Sequence, residues 1–104
     1  MNEPHDAIDK TCIIRCYASG VHIGTVLSVE NGSMFSRVTL AQSRRIRYWY
    51  GARSLSELAI DGLQSDKSQV HNPLTIHYIE DAIEIIPVSD KAMDTIRNTT
   101  NEAK

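Results

Sequence analysis

The sequence predicts an α+β fold, a curled antiparallel sheet of about five or six strands with two short helices. Three observations carry this expectation. Apolar and polar residues alternate through 11–18, 21–29 and 44–50, the period of a strand with two unlike faces. Asn31-Gly32 separates two such runs and predicts a hairpin, because these residues best tolerate the two positive φ angles of a type I′ turn. Ser54-Leu-Ser-Glu57 matches the S-x-x-E capping box, which satisfies backbone N–H groups left unpaired at a helix start.

Residues 1–9 are polar, contain Pro4 and lack periodicity, so they read as a flexible leader to a single domain over 10–98, with 99–104 a flexible tail. The first strand, 11–18, places Cys12, Ile14 and Cys16 on one face and Ile13, Arg15 and Tyr17 on the other. Ser19-Gly20 turns the chain into a second strand whose expected buried row is Val21, Ile23, Thr25, Leu27 and Val29. Beyond the hairpin, Met34, Val38 and Leu40 continue that row, with Arg37 and Thr39 outward. Gln42-Ser43 reads as a short connection to a strand over 44–50. On it Arg45, Arg47 and Trp49 share one face, and Arg44, Ile46, Tyr48 and Tyr50 the other.

A helix of about two turns begins at Leu55, with Leu55, Leu58, Ala59 and Gly62 on one side and Gly62 as its left-handed cap. Residues 64–73 read as a polar loop open to partner contact. Two further strands, 74–79 and 82–88, are separated by Glu80-Asp81, and Pro87 puts the latter at an edge or at its end. Ser89 or Asp90 caps a last helix whose apolar positions are Ala92, Met93 and Ile96.

The net charge is only −2, but it is unevenly placed: residues 10–53 hold seven basic side chains and one acid, residues 54–104 nine acids and four bases. Such asymmetry suits a basic face, or complementary patches that meet in a homo-oligomer, and argues against non-specific nucleic-acid binding. Cys12 and Cys16 lie about 13 Å apart along a strand and cannot bridge each other. Free thiols suit the cytoplasm, and no zinc spacing occurs. The opening residues lack the apolar segment of a signal peptide and no long apolar run follows, so no membrane contact is expected. Neither a metal nor a cofactor is expected.

The densest chemistry lies between residues 44 and 54. Arg44, Arg45, Arg47 and Arg53 are four of the seven arginines, and Trp49 is the only tryptophan. Arg45 and Arg47 are candidates for bidentate contacts to an anion, and Trp49 or Tyr50 for stacking on a planar ring. Arg53 and Ser54 stand at a helix start, where N–H groups and the helix dipole favour negative charge, although Ser54 and Glu57 already occupy some of those donors. The structural alternative makes the aromatic residues core or interface filler and pairs the arginines with the acidic half. His5, His22, His71 and His77 are scattered with no nucleophile placed beside them, and Glu80, Asp81 and Glu84 read as a solvated connection. No catalytic residue is therefore assigned, and an enzyme is disfavoured.

Arg44-Arg-Ile-Arg-Tyr-Trp-Tyr-Gly-Ala-Arg-Ser-Leu-Ser-Glu-Leu-Ala-Ile-Asp-Gly62, followed by Ala82-Ile-Glu-Ile-Ile-Pro, resembles a family of small, largely uncharacterised bacteriophage and prophage proteins over about Cys12 to Ile96. That resemblance implies a context rather than a mechanism: accessory phage proteins without catalytic motifs often act by binding. The leading expectation is an oligomeric anti-defence protein in the bacterial cytoplasm that sequesters a nucleotide-derived host signal through Arg45, Arg47, Trp49 and Arg53, with Tyr50 and Ser54 beside them. A stoichiometric inhibitor of a host defence protein, akin to an anti-CRISPR, is the rival, and a single-stranded nucleic-acid binder the third reading.

Overall fold

The computed structural model describes residues 5–100. Its strands are β1 (Thr11–Cys16), β2 (Val21–Asn31), β3 (Ser36–Tyr48), β4 (Gln69–Val70) and β5 (Leu74–Pro87), with helices α1 (Leu55–Asp61) and α2 (Asp90–Arg97). All pairings are antiparallel, in the order β2-β1-β5-β3-β4, and a further β2–β3 pairing closes four of the strands into a small barrel. The expected curled sheet of an α+β protein is thus a closed one, which leaves β1, β2, β3 and β5 with paired edges over most of their length.

Two apolar layers result. Cys12, Ile14, Cys16, Val26, Val38, Leu40, Ile79 and Ala82 fill the barrel. Ile13, Ile23 and Ile46, on the opposite face, meet Leu58, Ala59, Leu63, Val70 and Ile96 beneath the helices. β1 is therefore buried on both sides, and both thiols are free and buried within it. At seven residues α1 is too short to persist alone, and burial of Leu58 contributes about 2–3 kcal/mol toward holding it.

The caps follow the sequence. Ser54 Oγ accepts from the Glu57 amide at 3.2 Å, while the Glu57 carboxylate accepts from the Arg53 amide at 3.3 Å. Ser89 caps α2 by accepting from the Ala92 amide at 3.1 Å, and its hydroxyl donates to the Ile60 carbonyl at 2.6 Å, joining the two helices. Gly62 ends α1 at φ 83, and a Cβ there would meet Thr95 Oγ1 of α2, so this crossing requires glycine.

Several local expectations are corrected. The strands expected over 34–41 and 44–50 are one strand, β3, because Gln42 takes φ 53 and Gln42-Ser43 forms a bulge that bends the strand instead of ending it. Gly24 lies opposite, where a Cβ would approach Ala41 O to 2.9 Å and Ser43 Cα to 3.2 Å. The strands expected over 74–79 and 82–88 are likewise one strand, β5. Ala82 pairs with both Ser36 of β3 and Cys16 of β1, so Glu80-Asp81 lies where β5 passes from one neighbour to the other.

The β2–β3 hairpin forms, but Asn31 pairs with Ser36 and residues 32–35 make a four-residue loop, with the Gly32 amide donating to Phe35 O at 3.0 Å. Bulges in β2 also break its expected row. Val21 and Ile23 pack under the helices and His22 and Val26 turn to the other face, leaving Leu27 and Met34 exposed. The 64–73 segment is folded in, through a 3₁₀ turn at Ser65–Lys67, the short β4, and buried Ser68, Gln69 and Val70. Within the segment read as leader, Ala7 is buried in the barrel core and the Asp9 amide donates to Val26 O at 2.8 Å. Within the expected tail, Thr99 is buried. Residues 1–4 and 101–104 lie outside the described residues.

Candidate functional site

Strand alternation sorts the arginines of β3. Arg44 turns inward and its guanidinium donates to four main-chain carbonyls, those of His71 (2.8 Å), Ile96 (3.1 Å), Val70 (3.2 Å) and Thr99 (2.7 Å). It ties β3 to β4 and to the C-terminal end of α2, where a cation also meets the negative end of the helix dipole. Arg15 pairs with Glu84, Arg37 with Glu30 and Glu80, and Arg97 with Asp94. Among the described residues Arg45, Arg47 and Arg53 have no such carboxylate partner.

Arg45 and Arg47 line one open groove of about 400 Å³ with Trp49, Ile46 and the Ala18–Val21 turn. Two residues apart on one face of a strand, the arginines emerge about 7 Å from each other. Trp49 is half-buried against the helix-side core and lines the groove. The turn opposite is built by Asp81. Its carboxylate accepts from the amides of Ala18 (2.7 Å) and Ser19 (3.0 Å) and from the Ser19 hydroxyl (2.7 Å), bonds that hold its pKa below the usual carboxylate range.

Three of the six candidate residues meet in this groove, and three do not line it. Tyr50 stacks under Lys67, whose ammonium is 4.8 Å from the ring centroid. Ser54 is engaged as the cap of α1, and Arg53 is exposed outside the groove lining. At the start of α1, a seven-residue helix, Ser54 accepts from the Glu57 amide and Glu57 accepts from the Arg53 amide, as the capping box predicts.

A second cavity, of about 170 Å³, shares Arg45 with the groove and was not foreseen. His22, Ser43, His71, Asn72, Leu74 and His77 complete its lining. The bulge in β3 puts Ser43 here, with its hydroxyl 2.9 Å from His77 Nδ1. His22, only 1 % exposed, meets the Ser19 carbonyl through Nε2 at 2.9 Å, and its ring stands edge-on to His77 at 4.7 Å between centroids. A carbonyl can only accept, so Nε2 carries the proton. Burial, and then the charges of His77 and Arg45, lower the His22 pKa to about 4, so the ring is neutral near pH 7 and Nδ1 is a bare acceptor. That Nδ1, and Nε2 of His71, are buried without a partner. Leaving such a group unmet costs about 1–3 kcal/mol.

Burial and the nearby Arg45 charge also lower the His77 pKa. Ser43 and His77 thus form a hydrogen-bonded pair whose base is weakened. Among the described residues no group of three His, Cys, Asp or Glu side chains could hold a metal ion, and no helix is long and apolar enough to cross a membrane. One signal of this cavity was present in the sequence: the period of two in β5 puts His77 on the same face as buried Ile79.

Fold and groove define a small barrel protein with a cationic, aromatic-edged surface. A family described as a domain of unknown function (DUF6948) matches residues 9–96, and the chain belongs to it. No curated protein and no solved structure matches the chain.

Proposed function

We propose that the protein is a non-enzymatic binding protein that captures a nucleotide-derived anion on the groove formed by Arg45, Arg47 and Trp49. The observation that carries this is the contrast among the arginines: Arg15, Arg37, Arg44 and Arg97 have acceptors within the protein, whereas Arg45 and Arg47 stand side by side without one beside an indole. Bidentate guanidinium contacts and an aromatic ring to pack against are what a phosphorylated, ring-bearing ligand requires. In the phage setting that the sequence resemblance implies, the ligand is a host immune signal, sequestered in the bacterial cytoplasm. The homo-oligomer belongs to the same proposal, with exposed Leu74, Ile76 and Tyr78 of β5 as apolar surface available to it.

Calorimetry with cyclic dinucleotides, cyclic ADP-ribose isomers and inorganic pyrophosphate tests the reading. Binding to the wild type should weaken about tenfold or more in Arg45→Ala and in Arg47→Ala, since a charge-assisted hydrogen bond contributes about 1.5–3 kcal/mol. Absence of heat with every compound overturns it. The openness of the groove favours a second reading, a stoichiometric inhibitor of a host defence protein, because Trp, Tyr and Arg are the residues enriched at interface hot spots. That reading requires a one-to-one complex, isolated by gel filtration, that Trp49→Ala abolishes.

A further inference from the structure

Closure of the barrel stops short along one strand. From Leu74 to Ile79, β5 pairs with β3 in unbroken register, while β1 reaches β5 only from Asp81, whose carbonyl accepts from the Tyr17 amide, and Ala82 onward. Over 74–80 the β5 edge that faces away from β3 therefore has no neighbouring strand among the described residues. Leu74, Thr75 and Ile76 are all exposed, so the strand is open on both faces beside that edge. Main-chain groups point alternately to the two sides of a strand, and an open edge presents a row of them to any strand that comes alongside. Proteins block such edges with charged residues, proline or bulges. β2 beyond Val26 has a bulge and Glu30, and β5 beyond Ala82 has Glu84 and Pro87. Leu74-Thr-Ile-His-Tyr-Ile79 has none of these.

We propose that this edge pairs with the same edge of a second copy of the chain, antiparallel about a two-fold axis at Ile76. The inference rests on the homo-oligomer of the preceding proposal and names its interface. Two observations select a second copy as the partner. Leu74, Ile76 and Tyr78 are 54, 44 and 61 % exposed, share one face, and are placed symmetrically about Ile76. Two-fold pairing sets Leu74 against Tyr78 of the second copy and Ile76 against its own counterpart, which joins six apolar side chains into one face. The charges also fit. The segment has no basic residue, and the acid at its end, Glu80, falls opposite Asn72 and is already held by Arg37 at 3.1 Å, so no like charges meet. Arg37 lies over the Tyr78 ring as well, 5.7 Å from its centroid, and holds it in place. The interface adjoins the candidate site, because Leu74 and His77 line the cavity that shares Arg45 with the groove.

Sedimentation equilibrium on the full chain tests the inference, and the expected mass is twice the 11.6 kDa of one chain. Ile76→Lys sets two ammonium groups against each other at the axis and should leave a monomer, as should Ile76→Glu. An equimolar mixture of the two variants should recover the dimer, because only the mixed pair places opposite charges together. A wild-type monomer overturns both this inference and the homo-oligomer. A dimer that survives Ile76→Lys overturns the β5 interface and leaves the homo-oligomer standing. Two monomeric variants that do not recover on mixing overturn the two-fold pairing at Ile76. Hydrogen exchange on the wild type needs no substitution, so it decides the matter even where the variants do not fold: the amides of 75–79 should all be protected in the dimer, whereas fast exchange of alternate amides in a dimer overturns the pairing.

Discussion

His22 should make the protein acid-sensitive in a defined window. Its folded pKa is near 4, while an exposed histidine titrates near 6.5. Between those values the unfolded chain binds a proton that the folded chain refuses, so folding is favoured fully above about pH 6.5 and loses stability as pH falls toward 4. The slope reaches about 1.4 kcal/mol per pH unit and the total about 3 kcal/mol, a sizeable part of the roughly 5–15 kcal/mol that holds a domain together. Urea denaturation of wild type and His22→Gln at a series of pH values between about 7 and 5 isolates the effect. Carboxylates such as Asp81 titrate in both proteins and cancel in the difference. The wild type should lose about 2 kcal/mol more than the variant between about pH 6.5 and 5. Parallel stability curves would show that His22 is not held neutral by its surroundings, and with that the bare Nδ1 acceptor would be lost.

Other perturbations test the frame around the site. Arg44→Met leaves four carbonyls short of their charged donor and should cost about 3–5 kcal/mol in urea denaturation, whereas a loss under about 1 kcal/mol would mean that the clamp is dispensable. Gly62→Ala forces a Cβ onto Thr95 at a backbone conformation that essentially only glycine adopts, and should lower stability by about 2 kcal/mol or more; an unchanged melting temperature would refute the close crossing of α1 and α2. Asp81→Asn should weaken the 17–20 turn. The lowered Asp81 pKa means that its contribution is present above the ordinary carboxylate range and lost as pH falls below it, so the wild type and this variant should converge in strong acid.

Most of the local structure could be read from the chain because it depends on short-range chemistry. The capping serines, Ser54 and Ser89, are set by donors three residues away, and the inward face of β1 by strict alternation. What could not be read depends on partners far along the chain. Whether Gln42-Ser43 ends a strand or bends it is decided by Gly24, whose missing Cβ lets the bulge fold across β2. Whether Glu80-Asp81 is a connection or part of β5 is decided by β3 and β1 meeting at Ala82. The second cavity was hidden for the same reason: His22, Ser43 and His77 come from three strands, and only closure of the barrel brings them together.

The bulge also explains why the two adjacent arginines have opposite fates. Successive residues of a strand face opposite sides, so anchoring Arg44 among four carbonyls obliges Arg45 to face the other way. There, among the described residues, no carboxylate pairs with it, and Asp81 of the adjoining turn is engaged by the amides of Ala18 and Ser19 and the Ser19 hydroxyl. Arg47, two residues on, joins it on the same face. A shift of one residue in the bulge would exchange the two roles, burying Arg45 and exposing Arg44, and would carry Ser43 out of the cavity as well. The fold therefore couples three things through one irregularity: the clamp that fixes β3, the unpaired cations of the groove, and the hydroxyl that orients His77. Strand register thus decides which face each arginine side chain leaves from, and it places Arg45 and Arg47 together on the groove.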